Sequence, residues 1–144
     1  MLNMKKPVLS KKVGWVILIL LALIDSFLDM FFANNSGLQS FFWKPISDIL
    51  RIKYAPVAVP IILIIFYFLV KIGAFLEKKI DKIPFAEELV LTTLVIVYGL
   101  FVFWLVLVYF LGFSLIKNHL YLIFPLILVG TIYSWWAEKR LKRK

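Results

Sequence analysis

Two aspartates stand four residues apart inside an apolar run, Asp25 and Asp29 in Leu-Ala-Leu-Ile-Asp-Ser-Phe-Leu-Asp (21–29). Spacing of four puts both carboxylates on one face of a helix, one turn apart, on a stripe with Leu18 and Ala22. Counted from Val13 at about 1.5 Å per residue, Asp25 lies about 18 Å into the run and Asp29 about 24 Å. An ionised aspartate at the centre of a bilayer costs on the order of 2.5–3.5 kcal/mol, so such residues face the protein interior, pair, or take up a proton. Two chemistries suit the pair: a proton or cation relay, or a weak metal site joining Asp25, Asp29 and His119. The alternative is that both carboxylates are interhelical hydrogen-bond partners that fix packing, within the chain or against another subunit. By depth, the polar partners expected for them are Tyr67, Tyr98 and Trp104. Nearer the far boundary stand Tyr109, Asn34, Asn35 and His119.

Other polar groups in apolar surroundings have plainer readings. Lys71 lies near the end of an apolar run, where its stem stays in lipid and its ammonium reaches the interface. Glu87 and Glu88 open a helix, where negative charge suits the positive end of the helix dipole. Pro56, Pro60 and Pro125 free backbone carbonyls, but in membrane helices they more often bend a helix whose groups are re-satisfied locally. There is no nucleophile–base pair, Gly-rich phosphate loop or HExxH helix, so no enzyme is expected. Zero cysteines exclude disulfides, thiolate catalysis and cysteine-ligated metal, and a single histidine excludes a bis-histidine haem within the chain. No cofactor or metal is expected.

These side chains need a scaffold, and composition says which kind. Of 144 residues 63% are hydrophobic, against about 45–50% apolar in a soluble domain. The mean hydropathy is +0.97. Such an excess cannot be hidden in one water-soluble core of this size. A membrane span needs about 20 predominantly apolar residues. Runs of this kind cover about 13–32, 55–76, 89–113 and 120–136, and lipid obliges each to be helical because the backbone must satisfy its own hydrogen bonds. The expected fold is therefore an all-α integral membrane protein with four transmembrane helices in a single domain, 1–144. The first run reads as an uncleaved signal anchor, since Phe31 and Phe32 before Ala33 rule out a small-x-small cleavage site.

The formal net charge is +9, but the cations cluster at the termini and between apolar runs, where anionic lipid headgroups lie. Nucleic acid is not an expected partner. Lys5, Lys6, Lys11 and Lys12, then Lys71, Lys78, Lys79 and Lys82, then Lys139, Arg140, Lys142, Arg143 and Lys144 would share one side of a four-span chain. Lys44, Arg51, Lys53 and Lys117 would share the other. Thirteen against four predicts both termini in the cytoplasm of a plasma or inner membrane. The first connection has a helical pattern of its own: Phe42, Ile46, Ile49, Leu50 and Lys53 recur at helical spacing, Lys44, Asp48 and Arg51 would face water, and Pro45 suits a first turn. It predicts an amphipathic helix in the outer headgroup layer over about 42–53.

The segment 21–29, followed by Asn34-Asn35 and then Lys44-Pro45-Ile46, resembles a prokaryotic family of small multi-span membrane proteins of unknown function. Those proteins carry an aspartate in the first span and an Asn-Pro-Leu element before the second. Here the threonines that commonly follow the aspartate are absent, and Lys44 stands where the asparagine would be. The resemblance covers the first half of the chain and implies no activity.

With no enzyme motif and broad Phe- and Trp-rich surfaces, the expected role is a small, non-catalytic accessory or structural subunit of a larger membrane complex. Its partners would be other membrane subunits and lipids, including anionic headgroups at the inner face. An oligomeric proton- or cation-coupled transporter or channel using Asp25 and Asp29 is the alternative. A holin-type membrane-permeabilising protein is the third.

Overall fold

A computed structural model describes residues 6–36, 48–51, 55–112 and 119–142, and among these there are helices and no strands. Helix α1 is Lys11–Ser36. A 3-10 turn, Ala55–Ala58, leads into α2, Val59–Ile80, and α3 is Ala86–Leu111. A second 3-10 turn, His119–Leu122, leads into α4, Ile123–Lys142.

Among the described residues three stretches are long and apolar enough to cross a membrane: Lys11–Phe32, Pro56–Ile80 and Ala86–Leu111. The expected fourth does not reach that standard. The apolar part of α4 is diluted by Gly130, Thr131 and Ser134, and it ends on Glu138, Lys139 and Arg140. Around the helices large apolar side chains face outward; Phe103 and Phe124 are 59% and 73% exposed. In water such a surface would drive aggregation, whereas lipid solvates it.

Helix α3 is the centre of the bundle, packed against α1, α2 and α4 in turn, most extensively against α1. Its wholly uncharged run after Glu88 suits that place. Glycines on the outer helices let them approach it. A Cβ at Gly14 of α1 would stand 2.7 Å from Leu91 Cδ2, and one at Gly73 of α2 would stand 2.9 Å from Val90 Cγ1. Small residues at contacts are how membrane helices gain van der Waals packing when no hydrophobic drive separates lipid from protein. Here the tight contacts put glycines of the outer helices against larger side chains of α3, while Gly99 of α3 faces Leu21 less closely.

The prolines do not kink the spans. Pro56 is in the 3-10 turn, Pro60 is in the first turn of α2, and Pro125 is in the first turn of α4. The first four N–H groups of a helix have no intrahelical acceptor, so a missing one costs little there. Ser10 caps α1, with its Oγ accepting from the Val13 N–H at 3.4 Å. The turn between α2 and α3 is short and tight, with Lys82 and Phe85 both at positive φ, 50° and 59°.

Contacts at the ends fix the direction of the helices. Lys11 of α1 meets Glu87 of α3, and Lys142 of α4 meets Asp81 just after α2. The start of α1, the end of α2, the start of α3 and the end of α4 therefore share one end, which is rich in lysine. The interfacial helix expected over 42–53 lies mostly outside the described residues; 48–50 are helical with exposed side chains.

Candidate functional site

Helices α1 and α3 run parallel, in a register set by Gly14 against Leu91 and Leu21 against Gly99. That register brings the stripe Leu18, Ala22, Asp25, Ser26 and Asp29 onto α3. Leu18, Ala22, Asp25 and Ser26 are fully buried, and Asp29 is 8% exposed. The same offset puts Asp25 level with Val102 and Asp29 level with Val106. Tyr98 then stands about a turn nearer the lysine-rich end, and Tyr109 nearly a turn beyond the pair. The two carboxylates are bracketed by two phenols.

Each phenol donates to one carboxylate. The Tyr98 hydroxyl donates to Asp25 Oδ2 at 2.6 Å, and the Tyr109 hydroxyl donates to Asp29 Oδ1 at 3.1 Å. Short O–H···O contacts to a carboxylate are the stronger class of hydrogen bond. Both rings are held in place. Phe66 of α2 meets the Tyr98 ring edge-on at 5.2 Å, Phe101 stacks on it at 6.3 Å, and Phe32 stacks on Tyr109 at 5.7 Å. Ser26 needs no outside partner, because its hydroxyl donates to the Leu23 carbonyl one turn back at 2.8 Å.

Tyr67 is elsewhere. It is 48% exposed, its ring lies 6.2 Å from that of Trp15, and the Lys71 ammonium stands 5.5 Å from its centroid. Trp15 precedes Asp25 by ten residues, about 15 Å along the helix. Depth counting placed Tyr67 beside Asp25, but the actual slide of α2 along α1 puts it near the lysine-rich end. Trp104 is half-buried on α3, between the levels of Tyr98 and Tyr109. His119 begins the second 3-10 turn, and its side chain, like those of Asn34 and Asn35, lies outside the described residues. Among the described residues no three histidine, aspartate or glutamate side chains gather closely enough to hold a metal ion.

The sequence holds a second polar centre only as separate pieces. Glu87 is a three-helix junction: Oε1 accepts from Lys71 Nζ of α2 at 2.6 Å, and Oε2 pairs with Lys11 Nζ of α1 at 2.5 Å. The glutamate side chain is 15% exposed while the lysines remain 46% and 43% exposed, so the shared anion is inside and the cations reach the surface. Glu87 thus does more than face the dipole of its own helix, and Lys71 does more than snorkel. The one cue in the sequence was an acidic residue flanked in depth by two lysines on neighbouring runs. Nearby, the Asp81 carboxylate at 3.1 Å from Lys142 holds that ammonium above the usual lysine range.

In chemical terms the α1–α3 contact offers two carboxylate–phenol pairs, one fully buried and one partly. Comparison with family models, with curated proteins and with solved structures returns no match.

Proposed function

We propose that this chain is a small, non-catalytic subunit of a larger membrane assembly, crossing a plasma or inner membrane four times with both termini in the cytoplasm. The observation that carries the reading is the use made of Asp25 and Asp29. Each accepts a hydrogen bond from a tyrosine of the same chain, inside the α1–α3 contact. Carboxylates placed this way pin helix to helix, in a solvent where polar contacts and close packing are the main sources of association. The basic end supports the orientation, since Lys11, Lys71, Lys78, Lys79, Lys139, Arg140 and Lys142 gather there. The broad exposed apolar perimeter supports partners and lipid as its covering.

Extraction from native membranes in mild detergent tests the assembly. The reading expects the chain to migrate with other membrane polypeptides in stable stoichiometry. Elution as a lone monomer would remove it.

A proton- or cation-coupled transporter is the competing reading, favoured by a titratable group at depth. It requires a path from water to Asp25, which is fully buried against Tyr98. We place it second on that ground.

A further inference from the structure

Between α3 and α4 runs a groove of about 750 Å3, walled by Val97 and Phe101 on one side and by Leu122, Ile127, Trp135 and Glu138 on the other. From Leu122 to Glu138 it extends about 24 Å at 1.5 Å per residue. Lined almost wholly by apolar side chains and open along its side, the groove suits a hydrocarbon chain.

Its walls are apolar from Leu122 through Ile127 and turn polar at the basic end. Glu138, with its side chain 24% exposed, belongs there to a cluster of three carboxylates around one ammonium. Lys142 Nζ stands 3.7 Å from Glu138 Oε2 and 3.1 Å from Asp81 Oδ1. Glu77 lies within electrostatic reach of all three, and its Oε2 is buried with no hydrogen-bond partner among the described residues. Three anions and one cation leave this mouth negative. Immediately beside it is positive charge: the Lys139 ammonium is 3.5 Å from the ring centroid of Trp135, which lines the groove. A negative group and a positive group therefore stand side by side where the groove opens at the membrane boundary.

We infer that the groove holds an acyl chain of a phospholipid whose headgroup carries a primary ammonium. The ammonium pairs with Glu138, and the phosphate lies beside Lys139. A headgroup with negative charge alone would meet the repulsion of Glu138 and its neighbours, and a quaternary ammonium has no N–H to donate to a carboxylate. The inference rests on the proposed crossing of the membrane by α4.

The full chain is reconstituted in vesicles holding phosphatidylethanolamine, phosphatidylglycerol and phosphatidylcholine in equal amounts, extracted in mild detergent, and its retained lipid identified by mass spectrometry. The expected result is several-fold enrichment of phosphatidylethanolamine, falling to the input ratio in Glu138→Gln. A benzophenone side chain introduced at the exposed Ile127 reports independently on the groove in the otherwise unmodified chain. Acyl adducts are expected there. Acyl adducts without headgroup enrichment, or with phosphatidylglycerol enriched, would overturn this inference and leave the span intact. A polypeptide adduct at Ile127 would overturn it by giving the groove to a partner protein. No lipid adduct at all would overturn both the inference and the crossing of α4.

Discussion

Tyr98 of α3 and Asp25 of α1 meet through a 2.6 Å hydrogen bond between two side chains that are 4% and 0% exposed. Seventy-three residues separate them in the chain. Neither group is stable in hydrocarbon without such a partner, so the bond fixes the register of the two helices as well as adding to their affinity. A slide of α1 by one turn would exchange Asp25 for Leu21 or Asp29 at the phenol and leave a carboxylate against apolar side chains.

Tyr98→Phe removes the donor and leaves Asp25 Oδ2 without it. Interhelical hydrogen bonds in membranes are worth about 0.6 kcal/mol on average and up to about 1.7, and an orphaned buried acceptor adds a cost of about 1–3 kcal/mol. Unfolding in mixed detergent should therefore show a loss of about 1–3 kcal/mol. Tyr109→Phe should lose less, because its bond is longer, 3.1 Å, and Asp29 retains some exposure. The reverse order would mean that Asp29 is the principal anchor. In the same assay Asp25→Leu should disturb the fold more than Asp29→Leu.

Glu87→Gln tests the three-helix junction. Both lysines are nearly half exposed, so solvent screening holds the expected loss to about 1 kcal/mol or less. Salt is the sharper probe. The stability gap between the unmodified chain and the variant should shrink from low salt to about 1 M, where the Debye length is about 3 Å. A gap independent of salt would show that packing, not charge, is what the glutamate supplies.

The glycine contacts separate close approach from mere smallness. A Cβ at Gly73 would stand 2.9 Å from a stiff, branched Val90 side chain, whereas one at Gly99 meets nothing nearer than Leu21 Cδ1 at 3.7 Å. Gly73→Ala should therefore cost about 1–3 kcal/mol, as overpacking does. Gly99→Ala should be neutral. Thermal melts of the two variants in one detergent would distinguish them, and equal effects would contradict this packing.

Topology can be read with single cysteines, because the chain has none of its own. A cysteine at position 142 should react with an impermeant reagent only after the inner face is opened, and one at position 36 should react in intact cells. Labelling of both from outside would show an odd number of crossings, with α4 as the helix that fails to cross.

The membrane class and the polar stripe were legible in the sequence for simple reasons. Run length and hydropathy follow from composition, and a spacing of four dictates that Asp25 and Asp29 share a face with Leu18 and Ala22. What the sequence hides is the slide of one helix along another. Depth counting treats every span as starting level, yet α2 sits so that Tyr67 meets Trp15, and the phenols nearest the carboxylates are both on α3. Glu87 was hidden in the same way, because its two lysines come from 76 residues upstream and from 16, and only the packed bundle brings them together. Close packing here takes glycines of the outer helices against larger side chains of α3, a match that no spacing within a single span announces.

The most direct measurement on the role of the intramembrane carboxylates sets stability beside flux for Asp25→Asn. Purified chain in vesicles would be assayed for proton flux under an imposed gradient, and the same preparation for unfolding. If Asp25 and Asp29 serve to pin α1 to α3, neither the unmodified chain nor Asp25→Asn carries proton flux, and the variant is less stable. Proton flux through the unmodified chain that Asp25→Asn abolishes, with stability unchanged, would contradict the account.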